Sequence, residues 1–551
     1  MKILKVLKSK SAITKIQVAL LIAVVAVAGV AGYYLMQPAQ PKKEKVLVAA
    51  FATAGRNPDP AYAFADLTSY ALSEACYDPL VGAGTSTFPD GREYIVNGLV
   101  ATTGLAENWT VSSDGTVYTF KLRQGIKFAN STTVLTANAV KYSYDRAINM
   151  GYASGWLLGF CGMNMSSTKV IDDSTVQITT FNFISTKVTP NPFLLTGLSY
   201  VGIVNPADVV AHGGVVKGAF NDWMVTHSAG SGPFILQKYD PSTEAILVAN
   251  KDYWKGAPKL DKVVVRFIPD TSTRELLIKS GEVDIAMEIP AKDIADINAT
   301  QGVKMEINPM VRIGKITLWW FAAPFNNTKV REAIAHAIPY NSLIKDVMYN
   351  QATLYYSIVS RDGFGYQPAW NIYDYNLTKA RQLLTEAGYP NGFSCTFTIS
   401  DATTSDQEMC VVILQSELAK LGITMNIQKV ASAEFGNLQR AGKLEMFISR
   451  WQPAYDDVTY VSYIQHHSSI NYLTTGGYNN TAFDTLCSQS MVETNATKRL
   501  QMCYDLQKIL ADDIGIIPLY QYADILAMRS TVKGFKFRNS GMLMFYYLDK
   551  D

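Results

Sequence analysis

Residues 105–149 read LAENWTVSSDGTVYTFKLRQGIKFANSTTVLTANAVKYSYDRAIN. Val117 to Leu122 alternates apolar and polar side chains as a half-buried strand does, and Asp114-Gly115 supplies a turn just before it. Thr136 then stands three residues before the apolar Ala139 and Val140, and Tyr142, Tyr144 and Ile148 continue a mostly one-sided helical stripe. Turn, strand, loop and capped helix therefore follow in order. The alternation returns further on, with a helix over 383–387, a strand over 394–399, a helix over 408–421 and a strand over 424–430. Gly388 and Gly422 stand just past helix ends, where a left-handed cap residue belongs. The pattern predicts an α/β fold.

At 551 residues the chain exceeds one ordinary core of roughly 100 to 200 residues, so two or three lobes are expected. Apolar content of 48% and charged content of 17% argue against extended disorder. Lys2, Lys5, Lys8, Lys10 and Lys15 form a basic terminus (1–15) ahead of residues 16–36, 21 positions without a charge and long enough to cross a bilayer core. The lysines would stay in the cytoplasm and the rest of the chain would lie outside. A cleaved signal peptide is the competing reading, with Ala26-Val27-Ala28 as a small-x-small site, but its apolar core would be unusually long. The uncleaved anchor is favoured. No cysteine precedes Cys76 to take a lipid. Residues 37–45 (QPAQPKKEK) read as a short stiff spacer. Residues 1–45 carry +7 of a formal net charge of +2, so the remainder carries −5 and offers no basic surface for nucleic acid.

Six cysteines (Cys76, Cys161, Cys395, Cys410, Cys487, Cys503) allow 15 pairings. Proximity in the chain favours Cys395 with Cys410 and Cys487 with Cys503, with buried free thiols as the alternative. Without a CxxC spacing, zinc and thioredoxin-type chemistry have no foothold. Asn-x-Ser/Thr triplets at Asn108, Asn130, Asn164, Asn298, Asn326, Asn376, Asn479 and Asn495 make glycosylation possible outside the cell, and with the anchor they lean towards an archaeal cell surface. Phosphate-binding GxxxxGK[ST], HExxH and GxSxG motifs are all absent, so the sequence does not read as an enzyme. Adjacent His466 and His467 are expected at a solvated loop or lobe edge rather than on a metal.

The wording of 105–149 resembles the signature of the peptide/nickel-type (family 5) extracellular solute-binding proteins of ABC importers. Residues 231–254 (SGPFILQKYDPSTEAILVANKDYW) are similar to that family's strand pair. Residues 261–286, with Arg274-Glu275-Leu276-Leu277 and Gly281-Glu282-Val283-Asp284, resemble the strand and helix that follow. Residues 324–347 (PFNNTKVREAIAHAIPYNSLIKDV) and 380–393 (ARQLLTEAGYPNGF) resemble two helices of its second lobe, and 511–522 (ADDIGIIPLYQY) the return to the first. The resemblance implies a two-lobed periplasmic-binding-protein-like fold (type II, cluster C) with an accessory subdomain, here preceded by a transmembrane helix. Lobe I would comprise 46–85, 226–305 and 515–551, accessory lobe II 86–225, and lobe III 306–514. It further implies a monomeric receptor, without cofactor, that closes on its ligand and passes it to two permease subunits powered by two ATPases.

Peptide-binding members resemble one another in a Trp-x-x-Asp pattern whose aspartate pairs with the ligand's α-amino group. Here the position three after Trp451 is Ala454, and Asp456 or Asp457 would substitute if the loop is shifted by two or three residues. The resemblance therefore points to Trp451, Tyr455, Asp456 and Asp457 as one wall of the cleft. If Asp457 holds a cationic group, Asp457→Asn weakens binding by roughly 1 to 3 kcal/mol. Trp319 and Trp320 stand where many relatives have a polar, Asn-containing strand, and aromatic faces beside carboxylates suit a sugar ring as well as a peptide. Peptide is favoured and oligosaccharide is the alternative. A metal chelate would need His212, His227, His336, His466 or His467 to converge on the cleft. A surface hydrolase would need a carboxylate pair about 5 to 9 Å apart, and a structural surface protein a filled interface between lobes.

Overall fold

The computed structural model describes residues 44–551 apart from 64–65, 88–90, 184, 371 and 472–475. The expected basic terminus, the membrane span and all but the last two residues of the spacer lie outside the described residues. Among the described residues no helix is long and apolar enough to cross a membrane.

Strand β1 (Val46–Phe51) and helix α1 (Leu67–Cys76) come first, followed by β2 (Gly82–Thr87), β3 (Glu93–Ala101), β4 (Ala106–Val111) and β5 (Val117–Leu122). Helices α2 (Ala137–Met150) and α3 (Ala153–Phe160) and strands β6 (Thr168–Asp172) and β7 (Thr175–Thr179) complete this section. Then come β8 (Phe234–Asp240), β9 (Glu244–Ala249), β10 (Lys262–Phe267), α4 (Thr271–Ser280), β11 (Ile285–Ala286) and the long β12 (Val303–Leu318). Beyond it lie α5 (Thr328–His336), β13 (Thr353–Leu354), α6 (Leu377–Glu386), β14 (Ser394–Ser400), α7 (Ser405–Ala419), β15 (Thr424–Val430) and α8 (Ser432–Arg440). Finally β16 (Met446–Trp451), α9 (Val458–His466), α10 (Thr481–Ser490) and α11 (Ala496–Asp512) lead to β17 (Ile517–Arg529). The α/β expectation holds, and β5 spans the residues read as a strand. Thr136 is the N-cap of α2, although its side chain makes no capping bond, and Gly151 ends the helix at φ 73°. Gly388 and Gly422 adopt φ of 89° and 81° as anticipated.

Among the described residues eleven strands form one sheet, in the order β15-β14-β16-β12-β17-β11-β1-β10-β9-β8 with β13 on β17. Strands β14, β15 and β16 run parallel through helical crossovers, and β1 pairs in parallel with β10 and β11. These two groups meet only through β12 and β17, which run antiparallel and reach into both. Their ladder breaks in the middle: Pro309 pairs with Ala523 and Ile313 with Gln521, so Met310, Val311 and Arg312 oppose Tyr522 alone. Proline lacks a ladder donor, and such a bulge bends the strand and increases its twist. Gln521 Nε2 donates to Met310 O at 2.8 Å, and Val311 N donates to Asn539 O at 2.8 Å, which pins the bulge to the C-terminal segment.

The smaller section packs against both groups. Its buried Arg146 pairs with the equally buried Asp59. On its other side Phe160, Phe193 and Tyr200 close over Tyr455, with ring centroids 6.2, 5.8 and 5.7 Å away. All six cysteines are buried free thiols, not the two disulfides that chain proximity favoured. Cys395 lies against Met446 Sδ and Cys410 against the Tyr520 hydroxyl, so chain proximity did not bring these two sulfurs together. The His466-His467 expectation is also corrected: both rings are buried, at the end of α9.

Candidate functional site

A cavity of about 510 Å³ opens where β12 crosses β17. The bulge supplies Met310 and Arg312, and the facing strand supplies Tyr522 and Asp524. Met287, Glu288 and Arg274 come from the β1 side of the sheet, and Asp406, Met409 and Arg450 from the β14 side. Arg274 braces this wall from within, since its guanidinium donates to four backbone carbonyls, those of Ile268, Pro269, Met287 and Glu288. Glu288 itself sits at φ 54°, an unusual conformation for a side-chain-bearing residue, and the arginine holds the loop in it.

The charges in this cavity are poorly matched within the protein. Asp524 is 7% exposed, and among the described residues no donor bonds its carboxylate and no cation approaches to ion-pair distance. Burial pushes it up to about 7, opposed by the Arg312 charge and assisted by that of Glu288. Among the described residues the Arg312 guanidinium has one side-chain acceptor, Gln452 Oε1 at 3.3 Å. Its pKa is lowered by burial and then by the like charge of Arg450. Arg450 is exposed and has no ion-pair partner among the described residues. Asp406 accepts from the Tyr522 hydroxyl at 2.9 Å, and the tyrosine is held protonated by burial and then by that carboxylate. One buried acid and two adjacent arginines thus remain able to bind an ammonium and a carboxylate.

None of the six residues expected to form the site lines this cavity. Asp457 caps α9, accepting from Thr459 N at 2.8 Å, and pairs with Arg499 at 2.5 Å. Asp456 accepts from Ser360 N at 3.0 Å and from the Ser360 hydroxyl, and burial raises it to about 7. Tyr455 is buried under the aromatic roof with its hydroxyl 2.8 Å from Cys161 Sγ, and Tyr200 donates to the carbonyl of Ala454 at 2.6 Å. Trp320 is edge-on to Tyr478 and carries the Arg331 guanidinium 3.7 Å above its ring, while Trp319 lies edge-on to Phe321. Trp451 ends β16 and packs partly buried on the core. Successive strand residues face opposite ways, so its neighbour Arg450 is the one that reaches the cavity. The sequence held two further signals: a lone acid, Asp524, in the apolar run of β17, and the isolated Arg312 in β12.

The histidines do not converge. His212 and His227 sandwich Trp223 at 4.2 and 4.8 Å, His336 bonds Asp374 O, and none of the five lines the cavity. Among the described residues no group of three metal-binding side chains is assembled.

The family model described as bacterial extracellular solute-binding proteins, family 5 Middle, matches residues 101–472. Heme-binding protein A of Haemophilus influenzae is 26% identical over 466 residues, covering 81% of this chain and 84% of that protein. Glutathione-binding protein GsiB of Escherichia coli O157:H7 is 28% identical over 442 residues, covering 78% and 82%. Among solved structures, the ABC transporter-associated periplasmic binding protein DppA from Helicobacter pylori, in complex with the peptide STSA, is similar with a TM-score of 0.73 and 26% identity. It covers 92% of this chain and 98% of its own. HbpA2 from Haemophilus parasuis gives a TM-score of 0.75 at 25% identity, covering 92% and 100%.

Proposed function

This chain belongs to the family 5 extracellular solute-binding proteins, binding proteins rather than enzymes, and we propose that it captures a peptide-like solute in the cavity at the crossing of β12 and β17. The observation that carries this reading is the unpartnered Asp524 carboxylate beside Arg312 and Arg450, a set complementary to a free ammonium and a free carboxylate. A volume of about 510 Å³ suits a small ligand rather than a long chain. The names of the relatives, for glutathione and for a complex with the peptide STSA, support the same class.

Capture works through the crossing strands. Lobe I (46–85, 226–305 and 515–551) and lobe III (306–514) are the moving bodies, with 86–225 as the accessory lobe. A solute that touches Arg450 on one side and Asp524 and the Glu288 loop on the other is fully bound only when they are together. Its differential affinity therefore shifts the hinge equilibrium towards closure. The closed receptor, acting as a monomer on the outer face of the membrane, delivers the solute to two permease subunits driven by two ATPases. Trp451, Tyr455, Asp456, Asp457, Trp319 and Trp320 support the walls rather than touch the solute. No histidine lines the cavity, so a metal chelate held by histidine has no ligand there, and its aromatic rings are Phe51, Tyr349 and Tyr522 rather than the tryptophans expected to carry a sugar.

A thermal-shift screen of the full chain tests this against di- to octapeptide pools, cello-, malto- and xylo-oligosaccharides, and Ni²⁺ with and without histidine. A ligand at about 100 times its dissociation constant stabilises by roughly 2.7 kcal/mol. Short peptides are expected to shift the melting point. A shift with sugars alone contradicts the reading.

A further inference from the structure

Five methionines, Met287, Met310, Met348, Met409 and Met542, line the cavity, where the chain's 18 methionines in 551 residues would place about one in a lining of average composition. They come from five separate stretches of sequence. Met287 follows β11, Met310 sits in the bulge, Met348 precedes β13, Met409 is on α7, and Met542 belongs to the C-terminal segment. The ligand would meet thioethers from both sides of the sheet. All but Met409 are nearly buried, and Phe51, Leu67, Ile289, Val347, Ile525 and Leu543 add larger apolar groups to the lining between them. Gly541, at φ 75°, makes room for one of these groups, because a Cβ there would lie 2.8 Å from Met310 Cε.

An unbranched thioether has three rotatable bonds and a polarisable sulfur, so it fills irregular space and repacks at little cost. A lining of branched aliphatic side chains alone, without the methionines set among Ile289, Ile525 and Leu543, would fit one shape and reject others by strain. We infer that the solute carries a variable apolar side chain beside its charged ends, and that the methionines let the receptor accept many shapes of that side chain while rejecting polar ones. The inference rests on the peptide-receptor reading above and narrows it to short peptides with apolar side chains. It also accounts for the division of the lining: charges fix the invariant ends of a peptide, and adaptable groups meet the part that varies.

The test is calorimetry on the full chain with five dipeptides, Ala-Leu, Ala-Met, Ala-Phe, Ala-Ser and Ala-Asp. The three apolar dipeptides are expected to bind within about threefold of one another, and the two polar ones at least about tenfold more weakly. In the double variant Met310→Ile/Met348→Ile the branched, stiff side chains are expected to spread the three apolar affinities over more than about tenfold. The melting curve of the unliganded variant checks that it folds, and the single variants replace it if it does not. Equal binding of all five dipeptides by the wild type overturns this inference and leaves the receptor reading standing. So does an unchanged spread in the folded variants. Binding of none of the five removes the peptide reading together with the inference.

Discussion

Asp457 and Asp524 are almost equally buried, at 8% and 7% exposure, yet only Asp457 has donors and a cation against it. Asp457→Asn is therefore expected to cost about 3 kcal/mol of stability in denaturant unfolding, the scale for breaking a buried pair from one side, while leaving solute affinity unchanged. That reverses the expectation from sequence, where Asp457 stood as an amine-binding residue. Sequence placed this aspartate near Trp451 but carries no sign that Arg499, 42 positions on, already pairs with it. Asp524 makes the opposite prediction through pH. Its folded pKa of about 7 lies above the unfolded value of about 3.9, so the neutral acid is the form the empty fold prefers. Its contribution to stability is full below about pH 4 and is lost as pH rises through about 7. Binding of an ammonium needs the ionised form, so affinity is expected to rise over that same upper range. Calorimetry between pH 5.5 and about 7.5, below the α-amino value of roughly 7.7 to 8.0 at which the ligand loses its own charge, checks this, and Asp524→Asn should flatten the profile.

At the scale of elements, β12 joins two tasks. Its centre carries the bulge and Arg312 to the cavity, while Lys315, further along, is buried inside the second half of the sheet with Gln465 Oε1 at 2.8 Å as its bonded acceptor. Burial lowers Lys315 to about 7, and the neighbouring His466 is held neutral by its own burial and then by the lysine's charge. With the unfolded lysine near 10.4, the wild type gains stability as pH rises from about 7 towards 10. Lys315→Met should therefore raise the melting point, by more at pH 6 than at pH 9. A lower melting point at both values would mean that the lysine has a compensating partner. The regular elements were largely legible in sequence, as β5, β15 and the glycine caps of α6 and α7 illustrate, because periodicity and capping are local. The bulge was not: Pro309 hints at a break, but which three residues face Tyr522 depends on the register of a strand some 210 positions away.

For the whole molecule, the sheet order explains why the site candidates moved. Residues 105–149 and the later blocks were enough to identify the family, since they report on cores and turns that all its members need. The ligand wall depends instead on which lobe covers which surface. The accessory section lays Phe160, Phe193 and Tyr200 over Tyr455, the neighbour of the half-buried Ala454 where a Trp-x-x-Asp aspartate would stand, while open volume remains at the crossing of β12 and β17. The molecule is thus filled around Tyr455 and hollow at the crossing of β12 and β17. A single sequence shows neither fact, because both arise between residues hundreds of positions apart. The most direct measurement is calorimetric titration of an apolar dipeptide such as Ala-Leu into the full chain, its Asp524→Asn variant and its Asp457→Asn variant at about pH 7.5, where the ligand's α-amine is still largely charged. Asp524→Asn is expected to weaken binding by roughly 1 to 3 kcal/mol, and Asp457→Asn to bind as the wild type does. Loss of binding in Asp457→Asn with full affinity in Asp524→Asn would contradict this and return the ligand to the segment beneath the aromatic roof.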